Sequence, residues 1–71
     1  MQPDEIEARI AEAVAFGRDL AARNRTAAIK IQACADLVAE LDEHDLADQM
    51  RCLVADLRLQ ADTIDGFGDK I

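Results

Sequence analysis

The chain has 71 residues, a net charge of −7 at pH 7 and an apolar fraction of 51 %, but its only aromatic residues are two Phe. This length makes one domain whose core supplies only about 3 to 5 kcal/mol of net stability, so a second apolar stripe is expected to pack on another subunit or a target protein. No stretch approaches about 18 uninterrupted apolar residues, and residues 1–5 lack the basic and apolar runs of a signal peptide. These features exclude a membrane-spanning protein and lead us to expect a soluble, cytoplasmic one.

The first predicted helix begins at Pro3, because the first helical turn tolerates a residue without an N–H. Asp4 and Glu5 complement the positive charge of the helix start. Along this helix, small or apolar residues recur at alternating steps of four and three, a repeat of about 3.5 residues that is typical of helices packed lengthwise. We expect this first stripe to supply burial within the fold. Its members are Ile6, Ile10, Ala13, Gly17, Leu20, Asn24, Ala27, Ile31, Cys34, Val38 and Leu41.

Asn24 is the only polar member of the first stripe, and it leaves two structures open. Asn24 or Thr26 could be the N-cap of another helix after a bend, which would give a three-helix bundle. Alternatively, one helix runs on to residue 41, since no Pro or Gly interrupts it here and the repeat continues unchanged. The repeat favours the long helix, in which a single polar residue on the stripe could fix register and partner number.

The acidic residues 42–45 predict the turn of an antiparallel helical hairpin, with Asp42 as the N-cap of the last helix. That helix is expected to end near residue 65, with Gly66 as a left-handed C-cap and residues 66–71 as a frayed tail. It carries a second stripe, which consists of Leu46, Met50, Leu53, Leu57, Gln60 and Ile64, with Ala47, Val54 and Ala61 one column over.

The predicted fold is therefore a single all-α domain over residues 1–71 that packs as a dimer. It is either an antiparallel helical hairpin with a long first helix or a three-helix bundle. A last helix that ends near residue 65 covers only the second half of an unbroken first helix. The apolar residues between Ile6 and Leu20 then need cover from another chain, because an exposed apolar stripe is an aggregation hazard.

No residue pattern predicts catalysis, a cofactor or a metal site. His44 and Asp48 could share a metal ion across one helical turn, but the chain has no second His and no pair of thiols at zinc spacing. Cys34 lies on the first stripe, whereas Cys52 lies about 100° to 120° from the second. We expect a buried Cys34, a partly exposed Cys52 and no disulfide between them.

These features favour a non-catalytic helical protein–protein interaction module, a regulator or adaptor that forms a homodimer. Partner binding is predicted to use an acidic group near the turn and an apolar group that points away from both stripes. The acidic group is Asp36, Glu40, Glu43, Asp45 and Asp48. The apolar group is Phe16, Ile29, Cys52 and Leu59.

An alternative function uses the acidic group as an imitation of nucleic-acid phosphates. Residues 36–48 carry six acidic and no basic side chains, a net charge of −6, and carboxylates on rigid helices could occupy a basic groove. In size and acidity the chain is similar to small phage-encoded inhibitors of restriction or CRISPR systems.

A second alternative is RNA or DNA binding. Around the turn, Glu40-Leu41-Asp42, Ala47-Asp48 and Leu53 resemble the Rop-type plasmid RNA-binding hairpins. The RNA-contacting positions of that family fall here on Ala15, Ala22, Thr26 and Lys30, so its polar and aromatic RNA face is absent. Arg18, Arg23, Arg25 and Lys30 could form a basic stripe, but so few cations in an acidic chain give a weak attraction to phosphate. We therefore do not expect nucleic acid as a partner.

Overall fold

The structure is a computed structural model that describes residues 2–70. It has two helices, α1 over Pro3–Glu40 with 38 residues and α2 over His44–Lys70 with 27 residues. No strand occurs in this range, which confirms the all-α prediction. The molecule is a rod of 59 × 15 × 15 Å with a radius of gyration of 16.9 Å, whereas a compact domain of this length has about 11 Å. Its elongation leaves little interior in which side chains can be buried.

The N-terminus of α1 forms as the sequence predicts. Gln2 is the N-cap residue in an extended conformation, and Pro3 follows at the first helical position. The backbone N–H groups of Glu5 and Ile6 donate to the carbonyl oxygen of Gln2 at 3.1 and 3.2 Å. From there α1 passes through Asn24 as one helix. The described residues thus form two helices rather than three.

The connection differs from the prediction, because Asp42 ends α1 and does not cap α2. Asp42 has a positive φ of 63°. Its N–H donates to the carbonyl oxygen of Ala39, and the N–H of Glu43 donates to the carbonyl oxygen of Val38. This pair of bonds closes a helix end around one left-handed residue, a conformation that Asp tolerates better than most residues. The N–H of Ala47 then donates to Glu43, so α2 starts directly afterwards. The turn lies at residues 41–43, not 42–45.

Small residues hold the two helices together. The buried residues recur every seventh position in each helix, and all are Ala except one Val. Ala side chains let helix backbones approach closely, as they do wherever small residues line a helix contact. The members of this buried column are Ala21, Ala28 and Ala35 in α1 and Ala47, Val54 and Ala61 in α2, each with at most 2 % of its surface exposed.

The first stripe is therefore not the core, and this part of the prediction is wrong. The buried column of α1 lies one position after stripe members such as Leu20 and Ala27. A helix with a single neighbour buries one narrow column of side chains, so the rest of a wide apolar stripe stays at the edge of the contact or outside it. In α2 the buried column is the one beside the second stripe.

The C-terminal prediction is also wrong, because α2 continues through Gly66 to Lys70. No glycine in the described range has a positive φ, so Gly66 is not a C-cap, and the described part of the predicted tail is helical. Residue 71 lies outside the described residues. The extension packs on α1: a Cβ built on Gly68 would lie 3.3 Å from Cγ1 of Val14. Consequently α2 packs on α1 at least as far back as Val14.

Candidate protein-binding surface

One side of the rod exposes large apolar side chains from both helices, and we call it the apolar face. Its members leave between 37 % and 75 % of their surface exposed. Six of them belong to the two stripes predicted from the sequence, and Phe67 continues the second stripe by one step. The apolar face consists of Ile6, Ile10, Leu20 and Leu41 from α1 and Leu46, Leu53 and Phe67 from α2.

The stripes of α1 and α2 meet on the same side of the rod. Gly17 from the first stripe faces Ile64 from the second, and a Cβ built on Gly17 would lie 3.0 Å from Cγ2 of Ile64. The stripe residues along this line are half-buried, as Ile31, Met50 and Leu57 illustrate. The exposed members other than Ile10 lie one column further from the contact. The half-buried and exposed residues together make a continuous apolar strip along the rod.

The opposite side of the helix contact carries ion pairs. Arg25 donates from Nη1 to Oδ2 of Asp65 at 2.6 Å and from Nη2 to Oδ1 of Asp62 at 2.9 Å. The hydrogen bonds to Asp62 and Asp65 raise the pKa of the Arg25 guanidinium above its ordinary value. Nearer the turn, Nη2 of Arg51 lies 3.3 Å from Oδ1 of Asp36. The rod thus has a polar side and an apolar side.

The predicted acidic group lies at the turn end, and all five side chains are exposed. The structure brings Asp36 and Asp48 together on Arg51, whose Nη1 lies 3.8 Å from Oδ1 of Asp48. Asp36 also accepts a hydrogen bond of 3.0 Å from Gln32. Two of the five carboxylates are therefore partly neutralised by a neighbouring guanidinium, which weakens the resemblance to a row of phosphates.

The predicted apolar group is exposed but does not form one patch. Phe16 and Leu59 leave 71 % and 65 % of their surface exposed, and Ile29 also leaves 65 %. Phe16 and Ile29 are thirteen residues apart, which places them about 140° apart around α1. Cys52 is exposed, as predicted. The four side chains point in different directions and do not make a single contact surface.

The prediction of a buried Cys34 is wrong, because this thiol is exposed. Cys34 belongs to the first stripe, and that stripe lies on the apolar face instead of in the core. The large stripe members form the candidate binding surface, and the prediction from the sequence did not assign them to it. Their signal was the width of the pattern, because each helix carries three apolar columns and a single neighbouring helix covers only part of them.

Other kinds of site find little support among residues 2–70. No group of three or more His, Cys, Asp or Glu side chains in this range could hold a metal ion. Neither helix is both long and apolar enough to cross a membrane. Nε2 of His44 lies 3.8 Å from Oδ1 of Asp42, and both side chains are well exposed.

No protein-family model, curated protein or solved structure matches the chain.

Proposed function

We propose that the chain is a non-catalytic helical protein–protein interaction module that binds its partner through the apolar face. The observation that supports this most directly is the segregation of the surface. Of the eleven exposed large apolar side chains among residues 2–70, seven lie on one side of the rod and four lie outside it, namely Phe16, Ile29, Leu37 and Leu59. Ion pairs such as Arg25–Asp65 occupy the opposite side of the helix contact. Contiguous apolar patches of this kind mark protein-binding sites in proteins that remain soluble.

The weakness of the internal core supports the same proposal. Among residues 2–70, Val54 is the only buried residue larger than Ala, and no large side chain is fully buried. Complete burial of a Leu, Ile or Phe side chain stabilises a fold by about 1.5–3 kcal/mol, and the members of the apolar face realise only part of this. A partner surface that covers them would supply the missing burial.

The proposed module acts as a regulator or adaptor. Its binding surface differs from the acidic and apolar groups predicted from the sequence. The stripes replace Phe16 and Ile29 as the centre of the contact. The acidic group lies at one end of the apolar face, where charged residues would form the polar rim of an interface.

A pair of α2 variants tests the proposal. Leu53→Asp places a charge on the apolar face, whereas Leu59→Asp places the same charge at an exposed position outside it. The 71-residue chain and each variant are immobilised in turn and used to capture proteins from an extract of the native host. We expect Leu53→Asp to lose capture and Leu59→Asp to retain it, because a buried unpaired carboxylate is costly.

Two results would contradict the proposal. Equal capture by both variants would show that the apolar face does not carry binding. Capture that falls steeply with salt and is displaced by free DNA would favour the phosphate-imitating alternative, since charge-driven contacts are screened by ions.

A further inference from the structure

The surface of the chain is too large for a folded protein of its mass. One copy exposes 5404 Å², whereas a typical folded protein of 7.8 kDa exposes about 4,400 Å². Two copies joined into a particle of ordinary surface would bury about 3,600 Å² in total, which falls within the range of roughly 2,000–5,000 Å² of obligate homodimers. We propose that a second copy of this chain covers the apolar face, with the two copies antiparallel. This inference rests on the proposed function, because it names the partner of the same surface.

The first stripe is complementary to itself in the antiparallel direction. When Ile6 lies opposite the partner's Val38, each stripe position from 6 to 38 meets another stripe position, because steps of four and three alternate in both directions. The opposed pairs then place a large side chain against a smaller one along much of the contact. They are Ile6 with Val38, Ile10 with Cys34, Ala13 with Ile31, Gly17 with Ala27, and Leu20 with Asn24.

The polar members of both stripes lie at the centre of this arrangement. The two-fold axis passes level with residue 22 of α1, which is about 3 Å along the helix from Asn24. Gly17 faces Ile64, so residue 22 is level with residue 59 of α2, next to Gln60. About the same axis, Leu53 of one copy lies level with the partner's Ile64, with an offset of about one residue. Asn24 and Gln60 from both copies therefore gather around the axis, where their amide groups can hydrogen-bond across it.

The start of α1 decides between antiparallel and parallel copies. Ile6 and Ile10 lie nearer the N-terminus of α1 than Val14, the residue that Gly68 approaches, and they leave 43 % and 37 % of their surface exposed. In an antiparallel pair the turn end of the other copy lies beside this segment and covers it. In a parallel pair both turns lie at the far end of the rod, so neither turn covers Ile6 and Ile10. Antiparallel copies also place the two acidic turns at opposite ends of the particle.

The reactivities of the two cysteines report whether a second copy covers the apolar face of the wild-type chain, with Cys52 as the internal control for Cys34. Both thiols are exposed in a single copy, but Cys34 lies on the stripe opposite Ile10 of the other copy, whereas Cys52 lies on the outer side of α2. A water-soluble thiol reagent is applied to the purified chain, and the labelled positions are followed by mass spectrometry. We expect Cys34 to react at least about 10-fold more slowly than Cys52 and to lose this protection on dilution, because a covered thiol reacts only from the open state.

Solution mass is measured on the same samples by light scattering. The inference predicts twice the chain mass of 7.8 kDa. A single-chain mass with equal reactivity of Cys34 and Cys52 overturns it. If Cys34 of such a monomer becomes protected when native extract is added, the second copy is wrong while the proposed function stands. If extract gives no protection, both fail.

Orientation is tested with a spin label in the turn. The chain carries Glu43→Cys for the label, with Cys34→Ala and Cys52→Ala to remove the native thiols. Antiparallel copies place the two labels near opposite ends of the rod, at a distance close to its 59 Å length. Parallel copies place them within about 20 Å, since neighbouring helix axes lie about 8–10 Å apart. A short distance overturns the antiparallel arrangement, and a long one supports it.

Discussion

Asp42 is the residue at which a substitution should stabilise the fold most clearly. Its φ of 63° lies in the left-handed region, which costs an ordinary L-residue roughly 1–2 kcal/mol and Gly almost nothing. Two effects reduce this gain. Asp tolerates the left-handed region better than most residues, and Gly makes the unfolded chain more flexible. We therefore expect Asp42→Gly to raise the free energy of unfolding by about 1 kcal/mol per chain, or the melting temperature by about 4–8 °C.

Thermal unfolding followed by circular dichroism measures this effect at a fixed chain concentration. Asp42→Asn is the control for charge, because it removes the carboxylate and keeps a side chain that also tolerates the left-handed region. Asp45→Gly is the control for position, since Gly inside the first turn of α2 should lower stability by up to about 1 kcal/mol. A melting temperature of Asp42→Gly at or below that of the wild type would refute the role assigned to this backbone angle.

Four further substitutions test the helix contact by the same unfolding assay. Gly66→Ala should stabilise by about 0.5–1 kcal/mol, because no atom lies within 4 Å of the added Cβ, while Gly17→Ala should show no such gain, because its Cβ would lie 3.0 Å from Ile64; equal gains would contradict the packing. Ala28→Leu should lower stability by about 1–3 kcal/mol through overpacking of a fully buried site, and a neutral result would count against the small-residue column. Arg25→Met should lower the melting temperature slightly at low salt, and a difference that persists at 1 M salt would contradict an ionic origin.

Much of the fold could be predicted from the repeat alone. Alternating steps of four and three specify helices, and the absence of Pro and Gly around Asn24 favours the unbroken α1 that the structure has. The acidic turn region was also located to within a residue or two. Local sequence fixes these features, because they depend on backbone preferences and on the period of apolar residues.

Which apolar column becomes the core could not be predicted from the repeat. The larger side chains of the stripe, such as Ile10 and Leu20, suggest a core, yet Ala21 and Ala28 are the buried residues. The choice depends on how closely two backbones approach, and that is a property of both helices together. The end of α2 was misplaced for the same reason, since Gly66 resembles a C-cap locally but the helix continues and packs on Val14.

The position of the proposed binding surface follows from this choice of column. Once the Ala column is buried, the large stripe residues must face outward. The sequence pattern instead favours Phe16 and Ile29, because they lie off the stripes. Their exposure is real, but their directions around α1 keep them apart.

Cover of the apolar face by a second copy is expected to stabilise the folded chain, and the concentration dependence of unfolding tests this most directly. If two copies fold together, a 100-fold rise in chain concentration should stabilise the folded state by about 2.7 kcal/mol per dimer. The midpoint of urea unfolding should then rise clearly between about 1 and 100 µM chain, a range in which protein association is commonly measured. A midpoint that stays constant over this range, for a chain that remains a helical monomer at both concentrations, would contradict the account.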